Sequence, residues 1–237
     1  MSKSTIQNDY LAQLREEHGW KMEPVLVQSC YVTGDQHSNS IGRAIIECLF
    51  ERGHVASKDM FSDALIMSHG ALHFDWIEDF PPEETERVIY SNLIDSISMV
   101  KNFVQATINT DKRKKIISIG SMAYKTVLNG SSAYCASKAG LAHFMRCAAW
   151  ELAPKGYDVF SIHPSNVADT PMEEKTIQGL MRYRGLSREA AEAYWRANII
   201  QPEMLKKEDI AALVVDLLHP SKRYLSGTDI ELKGGQR

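Results

Sequence analysis

The sequence lacks the features that mark membrane, secreted and nucleic-acid-binding proteins. None of its apolar runs approaches the roughly 18 residues that a membrane-spanning helix needs. Basic residues number 27 against 30 acidic ones, so the formal charge of −3 gives no global positive field for nucleic acid or anionic lipid. Residues 1–17 are polar and carry no apolar signal-peptide core. We therefore expect a protein that acts without a membrane or nucleic-acid partner.

Cysteine is scarce, and its spacing is uninformative. Only four cysteines are present, and none forms a Cys-x-x-Cys pair, so neither a zinc site nor a disulfide framework is indicated. This usage favours a reducing, cytoplasmic location. The loop histidines His37, His69 and His73 lack the clustered spacing of metal ligands, and no metal is predicted.

The chain does have enough apolar material for one substantial core. Hydrophobic residues make up 44% of its 237 residues and charged residues 24%, as in soluble globular proteins. No internal repeat or long Pro/Gly/Ser linker divides it. We expect an N-terminal extension over residues 1–24 and a single domain over residues 25–237.

Short strand-like runs alternate with longer amphipathic patterns along this domain. Residues 171–200 are polar and predicted to be irregular, apart from a helix that begins after Ser187. The alternation predicts a mostly parallel sheet covered on both faces, with ligands at the carboxyl ends of its strands. The pattern predicts strands over residues 30–33, 63–67, 115–119, 159–162 and 228–232, and helices over 41–53, 83–110, 132–153 and 207–218.

A glycine-rich turn, residues 33–42, lies between the first predicted strand and the first predicted helix. In that position backbone N–H groups and a helix N-terminus can face a pyrophosphate. Ser40 could add its hydroxyl and its N–H. The alternative is an ordinary strand-to-helix turn. The turn contains only two glycines, Gly34 and Gly42, and Asp35 places a negative charge near where the phosphates would lie.

Three polar side chains form a candidate catalytic group. Tyr134 and Lys138 are four residues apart on a predicted helix, so they share one face. Ser121 directly follows a predicted strand. A nearby ammonium would lower the phenol pKa towards neutrality, and a phenol acid, a cation and a hydroxyl suit carbonyl reduction by a reduced nicotinamide. The alternative is an amphipathic helix with a buried tyrosine and a surface lysine.

These residues and their spacing resemble the short-chain dehydrogenase/reductase family. Ser121 after a strand, Tyr134 13 residues later and Lys138 four residues beyond it follow the family's pattern, and Asn92 matches its helix asparagine. The resemblance runs from about residue 28 to the end of the chain.

The resemblance implies a Rossmann-like, doubly wound α/β sheet and reversible hydride transfer between NAD or NADP and a carbonyl or alcohol. It implies that Tyr134 is the acid/base, that Lys138 lowers the phenol pKa and holds the ribose, and that Ser121 orients the substrate oxygen. Asn92 would relay protons. A homodimer or homotetramer is expected. The implied cofactor contacts are Gly34, Ser40, Ile41, Gly42, Ser68, His69, Gly70, Tyr134, Lys138, Pro164, Val167 and Thr170.

The chain departs from the family mainly by a deletion. Residues 54–62 are too few for a strand, a crossover helix and a second strand. We therefore expect five or six strands rather than seven, a shortened adenine side and weak cofactor binding. Asp59 could bind the ribose 2′-hydroxyl of NAD, whereas Lys58 or Arg43 could bind the 2′-phosphate of NADP. The choice between the two cofactors therefore stays open.

Two other functions remain open. A scaffold protein with a degraded cofactor site would fit the deletion. A reductase of C=C bonds would fit the glycine turn, whose length is similar to that of enoyl-acyl-carrier-protein reductases, although those space their Tyr and Lys more widely.

Overall fold

The computed structural model describes residues 28–234 except 198, 200 and 202. Six strands form one parallel sheet in the order β2-β1-β3-β4-β5-β6. The prediction of a doubly wound α/β sheet with five or six strands is therefore confirmed, with six. The strands are β1 Ser29–Val32, β2 Val55–Ser57, β3 Ala64–Met67, β4 Lys114–Ile119, β5 Tyr157–Pro164 and β6 Asp229–Leu232.

Seven α-helices lie in the described part of the chain. They are α1 Ile41–Glu51, α2 Pro82–Ile89, α3 Asp95–Thr107, α4 Ser132–Leu152, α5 Pro171–Arg184, α6 Arg188–Arg196 and α7 Lys207–Leu217. Pro81 and Pro82 begin α2 as predicted. The predicted helix 83–110 is split, because a π-helical turn, Tyr90–Ile94, joins α2 to α3.

Helices cover both faces of the sheet. The first face packs on α1 and α7, and the second packs on α3 and α4. Neighbouring strand residues alternate between the faces, as Ile116 contacts the second cluster and Ile117 the first. Every residue of β4 and β5 is buried, which accounts for the apolar residues at their centres, and the buried Lys115 and Asp158 pair with each other.

The predicted deletion lies between β2 and β3. Residues 58–63 connect these strands without a helix, crossing from one side of β1 to the other. Met60 packs against the second apolar cluster beside Tyr31. The connection is thus too short for another strand, and β2 is an edge of the sheet.

The prediction of irregular structure before Ser187 was wrong, because residues 171–184 form α5. The start signals were present in the sequence: the Thr170 hydroxyl accepts from Glu173 N, and Pro171 occupies the first turn. Gly185, with φ +65°, ends the helix. The predicted extension, 1–24, lies outside the described residues.

Candidate active site

One cleft of about 940 Å³ opens at the carboxyl ends of the strands. It collects most of the predicted site residues, and of these only Gly42 and Asn92 do not line it. The predicted residues that line it are Gly34, Ser40, Ile41, Ser68, His69, Gly70, Ser121, Tyr134, Lys138, Pro164, Val167 and Thr170.

The glycine turn packs directly on the end of β3. Gly34 has φ +73°, and a Cβ there would lie 2.7 Å from the Ser68 carbonyl carbon. A Cβ on Gly42 would lie 2.6 Å from the Thr33 carbonyl oxygen. Both positions therefore need glycine for close backbone approach. The Ser68 hydroxyl donates to Thr33 O at 2.5 Å, which fixes the turn against β3.

Ser40 caps α1 at the edge of this cleft. Its hydroxyl oxygen accepts from Arg43 N at 3.1 Å, which leaves the hydroxyl proton free to be donated. Its own N–H donates to His37 O at 3.0 Å. In this structure the Ser40 N–H is thus used within the turn, while its hydroxyl proton is available to a ligand.

Ser121, Tyr134 and Lys138 meet in the middle of the cleft. Tyr134 lies in the first turn of α4, and it is buried together with Lys138. The Lys138 ammonium donates to Ile119 O at 3.3 Å and lies 5.8 Å from the centre of the Tyr134 ring. The Ser121 hydroxyl accepts from Ala123 N at 3.2 Å.

Burial controls the ionisation of this group. Burial raises the pKa of Tyr134, opposed by a hydrogen bond from Ser121. Burial also lowers the pKa of Lys138 to about 8. The expected fall in the phenol pKa is not seen in this structure, because the loss of solvation outweighs the hydrogen bond and Lys138 donates to a backbone carbonyl.

Asn92 stands behind the cleft, in the π-helical turn. Its Oδ1 accepts from Ala71 N at 2.7 Å, and its Nδ2 donates to Ala71 O at 2.9 Å and to the Ser137 hydroxyl at 2.9 Å. These contacts use both amide protons and one lone pair of Oδ1. Asn92 thereby fixes the segment that carries Gly70 against α4.

The three candidate ribose selectors differ in what they contact. Lys58 follows β2, and its ammonium lies 2.8 Å from Asp35 Oδ2 and 3.4 Å from Val32 O. Asp59 points into its own loop, where its Oδ1 accepts from Phe61 N at 2.9 Å. Arg43 pairs with Glu47 at 3.1 Å. Of these side-chain contacts, that of Lys58 with Asp35 reaches the glycine turn.

The far end of the cleft contains residues that sequence reasoning missed. They come from the segments after β3 and β4, and include Leu72, Phe74, Val127 and Leu128. Periodicity marks residues of helices and strands, whereas most of these lie in connections. The one usable signal was their position just after strand ends.

A parallel sheet with a glycine-rich turn and a cleft at the carboxyl ends of its strands is typical of dinucleotide-dependent oxidoreductases. Residues 52–237 match a family model described as Enoyl-(Acyl carrier protein) reductase. The chain belongs to the short-chain dehydrogenase/reductase family, whose members use NAD or NADP. This confirms the family suggested by the sequence motifs.

Individual relatives are moderately similar. D-beta-hydroxybutyrate dehydrogenase of Rhizobium meliloti (strain 1021) is 30% identical over 193 residues, covering 76% of this chain and 70% of that protein. Sorbitol-6-phosphate 2-dehydrogenase of Escherichia coli (strain K12) is 24% identical over 174 residues, covering 73% and 67%. The structure of a short chain dehydrogenase family protein from Francisella tularensis subsp. tularensis SCHU S4 has a TM-score of 0.75 at 22% identity, covering 88% and 98%.

None of the described helices is both long enough and apolar enough to span a bilayer.

Proposed function

We propose that the protein catalyses reversible hydride transfer between NADP(H) and a carbonyl or secondary alcohol. The observation that carries this proposal is the convergence of Ser121, Tyr134 and Lys138 in a cleft that also reaches the glycine turn. A scaffold protein that no longer catalyses a reaction would have no physical need to keep that arrangement.

Each of the three residues has a role in this reaction. A dinucleotide held in this cleft would provide the hydride for the carbonyl carbon. Because burial raises the pKa of Tyr134, its phenol is protonated at neutral pH and gives its proton to the carbonyl oxygen. Ser121 holds that oxygen through its hydroxyl. Lys138 binds the ribose hydroxyls, and Asn92 acts by positioning Gly70 rather than by touching substrate.

The residues present fit a dinucleotide on its pyrophosphate and nicotinamide sides. The cleft is lined by Gly34 and Ile41 at the α1 N-terminus, where the helix dipole favours phosphate, and by Pro164, Val167 and Thr170 at the end of β5 and beyond. None of residues 58–63 lines it, although the Lys58 ammonium lies at its border, on Asp35 of the glycine turn. Adenine burial is therefore reduced, and we expect an affinity no tighter than micromolar.

Lys58 favours NADP over NAD. It stands at the carboxyl end of β2, where sheets of this class place the group that reads the ribose. A 2′-phosphate would replace the Asp35 carboxylate as the partner of the ammonium. Asp59, the carboxylate candidate for a 2′-hydroxyl, accepts from Phe61 N in its own loop through Oδ1, and it makes no contact with the glycine turn among the described hydrogen bonds.

Reduction of a C=C bond is the second candidate, because the matching family model carries an enoyl reductase description. The four-residue spacing of Tyr134 and Lys138 favours the carbonyl reaction. Assay of ketones beside enoyl thioesters separates the two. Activity on enoyl thioesters alone would overturn the first proposal.

Cofactor titration tests the proposal before any substrate is known. NADPH and NADH are added to the protein while nicotinamide fluorescence is followed. Saturable binding of NADPH at micromolar concentration, and weaker binding of NADH, are expected. Absence of binding by either at millimolar concentration would favour a scaffold protein.

We also propose a homodimer or homotetramer formed through the helical stretches that contain α2 to α4. Large apolar side chains are exposed there, with Tyr90 61% and Trp150 85% exposed. Light scattering coupled to size exclusion measures the mass, and a monomer at micromolar concentration would contradict this.

A further inference from the structure

The far end of the cleft has an aromatic wall built from two distant segments. Phe74, after β3, stacks on Tyr183 of α5, with ring centres 5.9 Å apart and planes 15° apart. Trp76 meets the same tyrosine edge-on at 5.1 Å. Phe74 and Tyr183 both line the cleft, so a bound substrate meets ring faces and edges on this side.

Glycines hold this wall in place. The Phe74 ring rests on Gly179 so closely that a Cβ there would overlap it. A Cβ on Gly130 would lie 2.9 Å from Cε2 of Tyr183. Both rings therefore pack directly on the backbone, which leaves them little freedom to change rotamer. The wall is preorganised for an apolar body.

Aliphatic side chains complete this end of the cleft. Leu72, Leu128 and Met172 belong to the same packed cluster as Phe74 and Tyr183. Val127 lines the cleft although it is 87% exposed, so an apolar side chain lies at the mouth beside the polar Thr126 and Asn129. An exposed valine at this position is consistent with entry of apolar molecules.

The arginines of α5 are directed to other partners. Arg182 donates to the Phe74 carbonyl and to Asp75 at 3.2 Å. Arg184 donates to the Tyr183 hydroxyl at 2.7 Å, and its guanidinium lies 4.5 Å from the Tyr194 ring centre. Among the described lining residues, Lys175 is the sole lysine or arginine besides Lys138. Phosphate recognition typically uses a bidentate arginine, and this end provides none.

We infer that the substrate is an uncharged, apolar ketone or secondary alcohol with a medium-chain or ring-sized body, rather than a phosphorylated sugar or a small keto acid. This inference rests on the proposed function. The reactive carbon lies beside Tyr134 and Ser121, and the apolar body lies between the aromatic wall and Leu72, Val127 and Leu128.

The first test compares three ketones with saturating NADPH: 2-octanone, acetoacetate and fructose 6-phosphate. We expect kcat/KM for 2-octanone to exceed the others by about a hundredfold. From 2-butanone to 2-octanone it should rise roughly fourfold per added CH₂ until the pocket is filled. A preference for acetoacetate that disappears in Lys175→Met would overturn the inference, as would a preference for the sugar phosphate.

Two variants check that the cleft itself gives this preference. Val127→Asp places a charge at the mouth on an exposed residue, and should raise KM for 2-octanone at least tenfold while leaving the NADPH dissociation constant unchanged. Lys175→Met is the matched control and should not weaken 2-octanone turnover. An unchanged KM in Val127→Asp would count against the proposed binding mode.

An equilibrium measurement separates this inference from the reaction. Trp195 lines the cleft, so binding of 2-octanol to the NADP-loaded protein is followed by tryptophan fluorescence. Saturable binding that weakens in Val127→Asp supports the apolar site even if no ketone is reduced, and in that case the proposed reaction fails alone. No binding and no turnover of apolar compounds would overturn the inference.

Discussion

The Lys58 ammonium lies 2.8 Å from the Asp35 carboxylate, which joins the end of β2 to the glycine turn. The hydrogen bond from Lys58 holds the pKa of Asp35 below its usual value, so the carboxylate is ionised at neutral pH. Any second anion that approaches Lys58 must compete with it. Cofactor choice is therefore linked to this pair.

Replacing Lys58 should weaken NADPH binding selectively. In Lys58→Ala we expect the NADPH dissociation constant to rise about tenfold, the effect of about 1.4 kcal/mol for an exposed charge-assisted contact, with NADH almost unaffected. Asp35→Asn should tighten NADPH binding by removing the competing anion. Fluorescence titration at low and high salt measures both. Equal losses for both cofactors in Lys58→Ala would contradict the assignment.

Tyr134→Phe should abolish turnover and leave the fold and cofactor binding intact. The phenol is the proposed proton donor, and loss of a positioned acid typically costs 10² to 10⁴ in rate. The rate constant, far-UV circular dichroism and the NADPH titration are measured together. A Phe variant with wild-type turnover would remove Tyr134 from the mechanism.

Lys138 should make stability depend on pH in the alkaline range. Its pKa is lowered to about 8 by burial, so between pH 8 and about 10.5 the unfolded chain binds more protons than the folded chain. The contribution of Lys138 to the free energy of unfolding therefore rises with pH across that range. In Lys138→Met the buried ammonium is absent, and the variant should be more stable than wild type at pH 7.

Urea unfolding at pH 7 and at pH 9.5 measures this effect. The stability advantage of Lys138→Met should shrink at the higher pH, where the wild-type lysine is largely neutral in the folded state. An advantage that is equal at both pH values would show that the substitution acts through packing. Turnover should fall in the variant at either pH.

Asn92→Ala should destabilise the fold more than it affects cofactor contacts. The substitution leaves the N–H and carbonyl of Ala71 without their partner beside the buried Ser137. One unsatisfied buried polar group costs about 1–3 kcal/mol. Urea unfolding measures the loss, and Ser96→Ala, which removes the hydroxyl contacts with Asn92 O and His69 Nε2, is the matched control. A loss no larger than that of the control would contradict this role.

Sequence patterns predicted the sheet, the shortened region and the central residues of the cleft. Tyr134 and Lys138 could be placed together because a helical period of four fixes their shared face. The short stretch before Asp63 limited the strands because chain length restricts what can cross β1. Such local constraints do not depend on distant packing.

Other features depend on packing that no local pattern contains. Phe74 and Tyr183 are far apart in sequence and meet because Gly179 and Gly130 admit their rings. The direction of the Tyr134 pKa depends on how deeply the fold buries the phenol. Helix α5 was missed because its polar surface obscured the period, although its terminal signals were readable.

Strand β2 is short, and this limits the aggregation that an unpaired edge strand can cause. In the part of the chain that the structure describes, no strand pairs with the outer side of β2, which is only three residues long and is followed by charged Lys58. A short, charge-flanked border offers few unpaired amides to another molecule, whereas long flat borders template aggregation. The sheet can therefore end at β2 without an edge that readily pairs with another molecule.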